Sequence, residues 1–182
     1  PPAPAPPGPK PPPLPRTCAE IAYTTPNATD GEYLIQCPLS GSIMLAVWCH
    51  DLRGDEPREY LSLHLSSPDH NVAQYYCGQE CQSEAPAGET PTTVTTAFSK
   101  LRINPCTLTI DVHDTTFAKT IGKLWHRDSE SGATEVYTYQ PFGVAGSCES
   151  EVAQAGTSNI DLSQTPFIVK SAFKLVGASP AG

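Results

Sequence analysis

Two groupings in this sequence put a histidine beside a carboxylate: His50-Asp51 and Asp111-x-His113-Asp114. On a strand, residues two apart share a face, so Asp111 and His113 can form a hydrogen-bonded pair or supply two ligands to a metal. The competing reading is a surface histidine at a strand end. It outweighs the metal, because such pairs are common where no motif surrounds them. His50, closing an apolar run, reads as a buried, hydrogen-bonded residue. Hydrolysis needs a nucleophile with a placed base, and neither G-x-S-x-G nor H-E-x-x-H occurs. The sequence therefore predicts no catalytic residue, no metal and no cofactor.

Binding chemistry is better represented. Arg53-Gly54-Asp55 spells an integrin-type adhesion tripeptide in a polar stretch that reads as an exposed loop. Its competing reading is a chance tripeptide, with Pro57 shaping an ordinary turn. Asn27-Ala28-Thr29 is an N-glycosylation sequon, with Asn27 as the acceptor. Tyr75, Tyr76, Trp125, Tyr137 and Tyr139 can line a sugar site, and Trp125 is the contact to test. The alternative packs these rings into the core and into cross-strand pairs.

These residues need elements to position them. Asp30-Gly31 opens a stretch with two apolar runs, Tyr33–Cys37 and Ile43–Cys49, separated by Pro38-Leu39-Ser40-Gly41. Runs of that length between turn residues read as paired strands. Ile43–Cys49 is apolar on both faces, so it is expected to be central and covered on both sides. Glu59–Leu65 is a third strand and Asn71–Cys77 a fourth. Residues 78–92 are a polar loop. Thr93–Ile103 is strand-prone, and Cys106–Val112 alternates as a half-buried strand. His113–Trp125 is the stretch with helical character, weakened by its β-branched residues. Val136–Tyr139, Asn159–Leu162 and Phe167–Val176 complete a strand-rich pattern. This argues for a mainly β fold: a single antiparallel β-sandwich or barrel-like domain spanning residues 17–182.

Residues 1–16 hold ten of the chain's 20 prolines. Proline fixes φ and lacks the N–H, so this segment is expected as an extended polyproline II linker. It resembles the proline-rich stalks of hydroxyproline-rich glycoproteins. The chain starts without Met or a signal sequence and reads as a mature piece of a longer protein. Nineteen acids face 11 bases, for a net charge of −8. With no cluster of Lys and Arg, a nucleic-acid partner is not expected. No apolar run approaches the roughly 20 residues of a membrane span. The seven cysteines lack paired zinc spacing and suit a disulfide framework from an oxidising compartment.

A series of short motifs resembles the GON domain, a C-terminal module of ADAMTS-type secreted metalloproteases. They are Cys18-Ala19-Glu20-Ile21, Asp30-Gly31-Glu32-Tyr33, Val47-Trp48-Cys49-His50-Asp51-Leu52 and Glu59-Tyr60-Leu61-Ser62-Leu63. Phe98-Ser99-Lys100-Leu101-Arg102-Ile103, Phe117-Ala118, Ala145-Gly146-Ser147-Cys148 and Ile160-Asp161-Leu162-x-x-Thr165-Pro166-Phe167 follow in order. Trp48 and Leu52 depart from the animal pattern, and a proline segment stands where thrombospondin-type repeats would precede the domain. The resemblance implies a non-catalytic extracellular module, whose parent chain can be a zinc metalloprotease. The opening is also similar to that of fibrinogen C-terminal domains, which implies a Cys18–Cys49 bond.

Cys106–Cys148 is the second expected pair, and Cys77–Cys81 a local one. Cys37 is then free, bonded to another chain, or a partner for Cys77 or Cys81. The functional expectation is protein–protein recognition or assembly in a matrix, cell wall or cell-surface glycoprotein, outside the cell. The partners would be extracellular proteins, glycans or other chains of the same assembly. The rival is a carbohydrate-binding module, and an enzyme ranks below both.

Overall fold

The computed structural model describes residues 8, 13–37, 43–64, 70–76, 87–88, 92–127, 132, 134–147 and 156–167. The proline-rich segment thus lies outside the described residues except at Gly8 and Pro13–Arg16. The chain divides into two compact units. One comprises Pro1–Glu59 with Pro105–Thr107, the other Tyr60–Asn104 with Leu108–Gly182.

In the first unit, helix α1 (Cys18–Thr24) starts where Thr17 is extended and its side chain accepts from the Glu20 amide at 3.1 Å. The Glu20 carboxylate reaches back to the Arg16 N–H at 2.7 Å. The first contact satisfies an amide that a helix start leaves without a partner, and the second ties the residue before the cap to the same turn. The Thr25 N–H bonds the Ile21 carbonyl at the other end. Seven residues are too few for a stable isolated helix. Burial of Cys18 and Ile21, and a disulfide from Cys18 to Cys49, hold it in place.

Strands β1 (Gly31–Cys37) and β2 (Ile43–His50) follow and pair antiparallel, from Gly31 opposite Cys49 to Cys37 opposite Ile43. Leu45, Val47 and Cys49 are buried, but Met44 and Ala46 on the other face are exposed and Trp48 is only half-buried. The expected two-sided burial of β2 is therefore not found. The signal was in β1: Glu32 and Gln36 flank Leu34 on the same outer face, so this is an antiparallel pair with one packed face and one facing water.

The remaining strands are β3 (Arg58–Ser62), β4 (Val72–Tyr76), β5 (Thr92–Phe98), β6 (Lys100–Asn104) and β7 (Thr109–Asp111). They are followed by β8 (Ala118–Arg127), β9 (Thr134–Tyr137), β10 (Gly146–Ser147) and β11 (Ser158–Asn159). Among the described residues of the second unit, β3, β6 and β7 are paired with one another, and β4, β5, β8, β9, β10 and β11 form another sheet. In the second unit β6 pairs antiparallel with β3 and β7. The other sheet runs β10-β4-β5-β8-β9, antiparallel except where β10 lies parallel to β4. β11 takes the part of β4's edge that β10 leaves, at Val72 and Ala73. The fold is mainly β, as expected.

Three stretches differ from the sequence reading. Residues 93–103 form two strands, because both the N–H and the hydroxyl of Ser99 turn to the Phe117 carbonyl. Residues 105–108 form a turn, with Leu108 in the left-handed region at φ 57° and its N–H on the Asn104 carbonyl. The alternation over 106–112 therefore yields only a three-residue strand. The stretch given helical character forms β8, whose β-branched Thr120 and Ile121 pair with β5 over seven residues. Residues 168–176 and Cys77 lie outside the described residues.

In the second unit the buried residues of β5, Val94, Thr96 and Phe98, share one face. Val94 and Leu124 are fully buried, and Tyr75 and Tyr137 pack against them and meet each other edge to face at 5.3 Å. Tyr60 meets Phe117 and Phe98 meets Phe142 in the same geometry, which suits the aromatic quadrupole. The buried polar residues Asn71, Thr96 and Gln140 are hydrogen-bonded. The Thr96 hydroxyl accepts from the Gln140 N–H at 2.7 Å. Asn71, at φ 58°, spends both ends of its amide, one on Asp161 and one on His64.

Candidate functional site

The turn leaving β2 is the most closely tied polar feature of the first unit. Asp30, just before β1, accepts at one oxygen from the Leu52 N–H and at the other from the Asp51 N–H, both at 2.9 Å. The second oxygen also meets His50 Nδ1 at 2.9 Å. Antiparallel pairing sets this up, because Gly31 lies opposite Cys49 and brings Asp30 alongside His50. Burial pushes the Asp30 carboxyl up. The Asp51 and Leu52 amides, and then His50, outweigh it and hold the carboxyl below the usual carboxylate value. Leu52 is buried beneath the turn, and the Gly54 N–H closes it on the Asp51 carbonyl at 3.0 Å. A Cβ at Gly54 would collide with the Asp51 carboxylate, so the turn has a structural use for that glycine. Arg53, Gly54 and Asp55 are all exposed on it.

A folded-state pKa lowered in this way adds stability above the unfolded value of 3.8 and loses it as pH falls through the folded value. Asp30→Asn should therefore be less stable than the natural chain at pH 7, by about 1 kcal/mol given that the carboxylate is partly exposed. The two proteins should converge as the pH is taken below 3.8, which urea titrations at pH 7 and pH 3 would check.

The second carboxylate–histidine grouping does not assemble. Asp111 accepts from the backbone N–H of His113 at 3.1 Å, a local turn contact. The His113 ring meets the Tyr139 hydroxyl at 3.1 Å. Asp114 turns inward, accepting from the Tyr60 hydroxyl at 3.2 Å with Arg102 at 3.9 Å. The strand face that would have paired Asp111 with His113 ends at Asp111, and the next residues are a turn. His50 is hydrogen-bonded as expected, but it is only half-buried, with its side chain 37% exposed. Among the described residues no three His, Cys, Asp or Glu side chains stand close enough to hold a metal.

The other candidates are placed as follows. Trp125 is only 7% exposed, so its ring is not offered to a sugar as expected. Asn27 is exposed in the turn between α1 and β1. Cys18 is bonded to Cys49. Cys106 is bonded to Cys37 rather than to Cys148, and Cys37 is therefore not the odd cysteine. Cys106 stands in the turn before β7, not on the strand that was to carry it. Cys77, Cys81 and Cys148 lie outside the described residues.

Sequence reasoning missed a cluster in the second unit. His70 Nδ1 meets Asp161 at 2.8 Å, and Asn71 accepts from the Asp161 N–H at 2.9 Å. Residues some ninety positions apart carry no periodic signal. The Asp161 in the Ile160-Asp161-Leu162 motif was the available clue.

The strands, the two disulfides and the closed polar turns define a disulfide-tied, mainly β module. The sequence profile of the GON domain matches residues 15–179, and the chain belongs to this family. No curated protein and no solved structure matches it. The GON domain is an ancillary, non-catalytic domain, extracellular in the proteins that carry it. Among the described residues no helix is long and apolar enough to cross a membrane.

Proposed function

We propose that this chain is a non-catalytic extracellular module for protein–protein recognition or assembly, in a matrix, a cell wall or a cell-surface glycoprotein. The observation that carries the reading is the outer face of the β1–β2 pair. Leu34 is 45% and Met44 58% exposed, beside exposed Ala46 and half-buried Trp48. Leu34 lies opposite Ala46, and Gln36 opposite Met44, so an apolar strip is bordered by polar side chains. Contiguous apolar surface with a polar rim is what a protein partner covers. GON membership and the disulfides support an extracellular setting. The sequon at Asn27, exposed in its turn, is available to a glycan.

The carbohydrate-binding reading loses its main residue with the burial of Trp125. What favours it still is the exposed His113 beside half-buried Tyr139. The two readings separate experimentally. Leu34→Lys/Met44→Lys should retain its melting temperature, since both side chains face water. It should lose at least tenfold in binding to extracellular proteins captured by the natural chain. Unchanged protein capture, with glycan-array binding lost on Tyr139→Ala, would replace recognition with the sugar reading.

A further inference from the structure

The turn Asp51–Asp55 is built to hold still while presenting two charges. Its base is tied by the Asp30 carboxylate to two successive backbone amides, and Leu52 is buried under it. Its tip is closed by the Gly54 N–H on the Asp51 carbonyl. Asp51 itself sits in the left-handed region, φ 61°, which Asp tolerates better than most residues. Its carboxylate fills the space where a side chain at position 54 would stand. Arg53 and Asp55 are exposed on either side of this glycine in the turn.

Their lack of partners is informative. Neighbouring charges on this segment pair off: Arg58 bonds Glu56, and Glu59 accepts the Cys18 N–H at 2.7 Å. Arg53 and Asp55 make no hydrogen bond or ion pair among the described residues, and both are exposed. A held turn that keeps one guanidinium and one carboxylate uncommitted has already lost the loop entropy that binding would otherwise cost.

We infer that Arg53-Gly54-Asp55 is an adhesion site for a cell-surface receptor that binds through a divalent cation. The Asp55 carboxylate supplies a hard oxygen ligand to a cation held by the receptor. The Arg53 guanidinium meets a carboxylate on the same receptor, in a two-point geometry that Lys would not reproduce. The bare Gly54 lets the receptor surface approach the backbone between them. The inference rests on the recognition role proposed above and names the partner for one of its surfaces.

The test coats a surface with the full chain and measures attachment of cultured fibroblasts in magnesium and manganese. Attachment should be abolished by a chelator and by a soluble peptide containing Arg-Gly-Asp. It should fall at least tenfold for Asp55→Glu, which keeps the charge but lengthens the side chain. Glu56→Gln should attach like the natural chain. Asp55→Glu should melt with the natural chain, because Asp55 has no partner among the described residues to lose. Equal attachment by Asp55→Glu, or no attachment at all, overturns the inference. If Leu34→Lys/Met44→Lys still abolishes protein capture in that case, the adhesion site alone has failed and the recognition role stands.

Discussion

Replacing Cys37 and Cys106 together by Ser should lower the stability of the chain by about 4 kcal/mol. The two cysteines are 69 residues apart, so the bond closes a long loop in the unfolded chain. On the chain-entropy account, loops of this length are worth more than the 31-residue separation of Cys18 and Cys49, though the dependence is only logarithmic. Whole domains are stable by only about 5–15 kcal/mol, so the loss is a large share. The urea midpoint should fall accordingly, and a reducing agent should bring the natural chain down at least as far. Cys37→Ser alone separates this pairing from the Cys106–Cys148 alternative. If Cys106 were bonded to Cys148 and Cys37 were free, the single change would leave the midpoint almost unmoved. Peptide mapping without reduction should recover the Cys37 peptide linked to the Cys106 peptide.

Gly122→Ala should cost about 3 kcal/mol, from backbone strain with a collision added. Gly122 lies inside β8 at φ 81°, in the region that side chains other than glycine seldom enter. A Cβ there would collide with the carbonyl oxygen of Thr93 on the neighbouring strand β5. That atom is backbone, so no rotamer change relieves the contact. Either β8 bends away or its ladder with β5 opens. The residue opposite is Val94, which with Leu124 forms the buried cluster under Tyr75 and Tyr137. The melting temperature should drop by roughly 10 °C, at the usual few degrees per kcal/mol for this size. Amides of β5 and β8 should lose protection from hydrogen exchange first. Gly88→Ala is the control: its φ is 93° but nothing lies within 4 Å of the added carbon, so only the strain remains. A Gly122→Ala protein that melts with the natural chain would show that the strand absorbs the side chain, contrary to the geometry.

Much of this protein could be read from local pattern. Apolar runs between turn residues located β1, β2, β3 and β4 within a residue or a few of their observed bounds, because strand pairing depends on short, contiguous stretches. The family was legible for a related reason. Its motifs, such as Val47-Trp48-Cys49-His50-Asp51-Leu52, are contiguous and ordered along the chain, and the profile match spans them. The exposed placement of Arg53, Gly54 and Asp55 also followed from a polar stretch after an apolar strand.

What the pattern did not contain was decided by contacts between distant residues. Periodicity says which β2 side chains share a face, but not whether anything covers that face. Only the packed structure shows Val47 buried and Met44 in water. Helical character over 113–125 was a local preference, and seven pairings with β5 overrode it. Cysteine pairing depends on which residues come within about 6 Å, and spacing along the chain carries little of that information. Cys106 joined Cys37, 69 residues away in sequence but at a Cα separation of 5.1 Å in the fold. The same holds for Asp30, whose hold on His50, Asp51 and Leu52 exists only because antiparallel pairing returns the chain to the same place about twenty residues later.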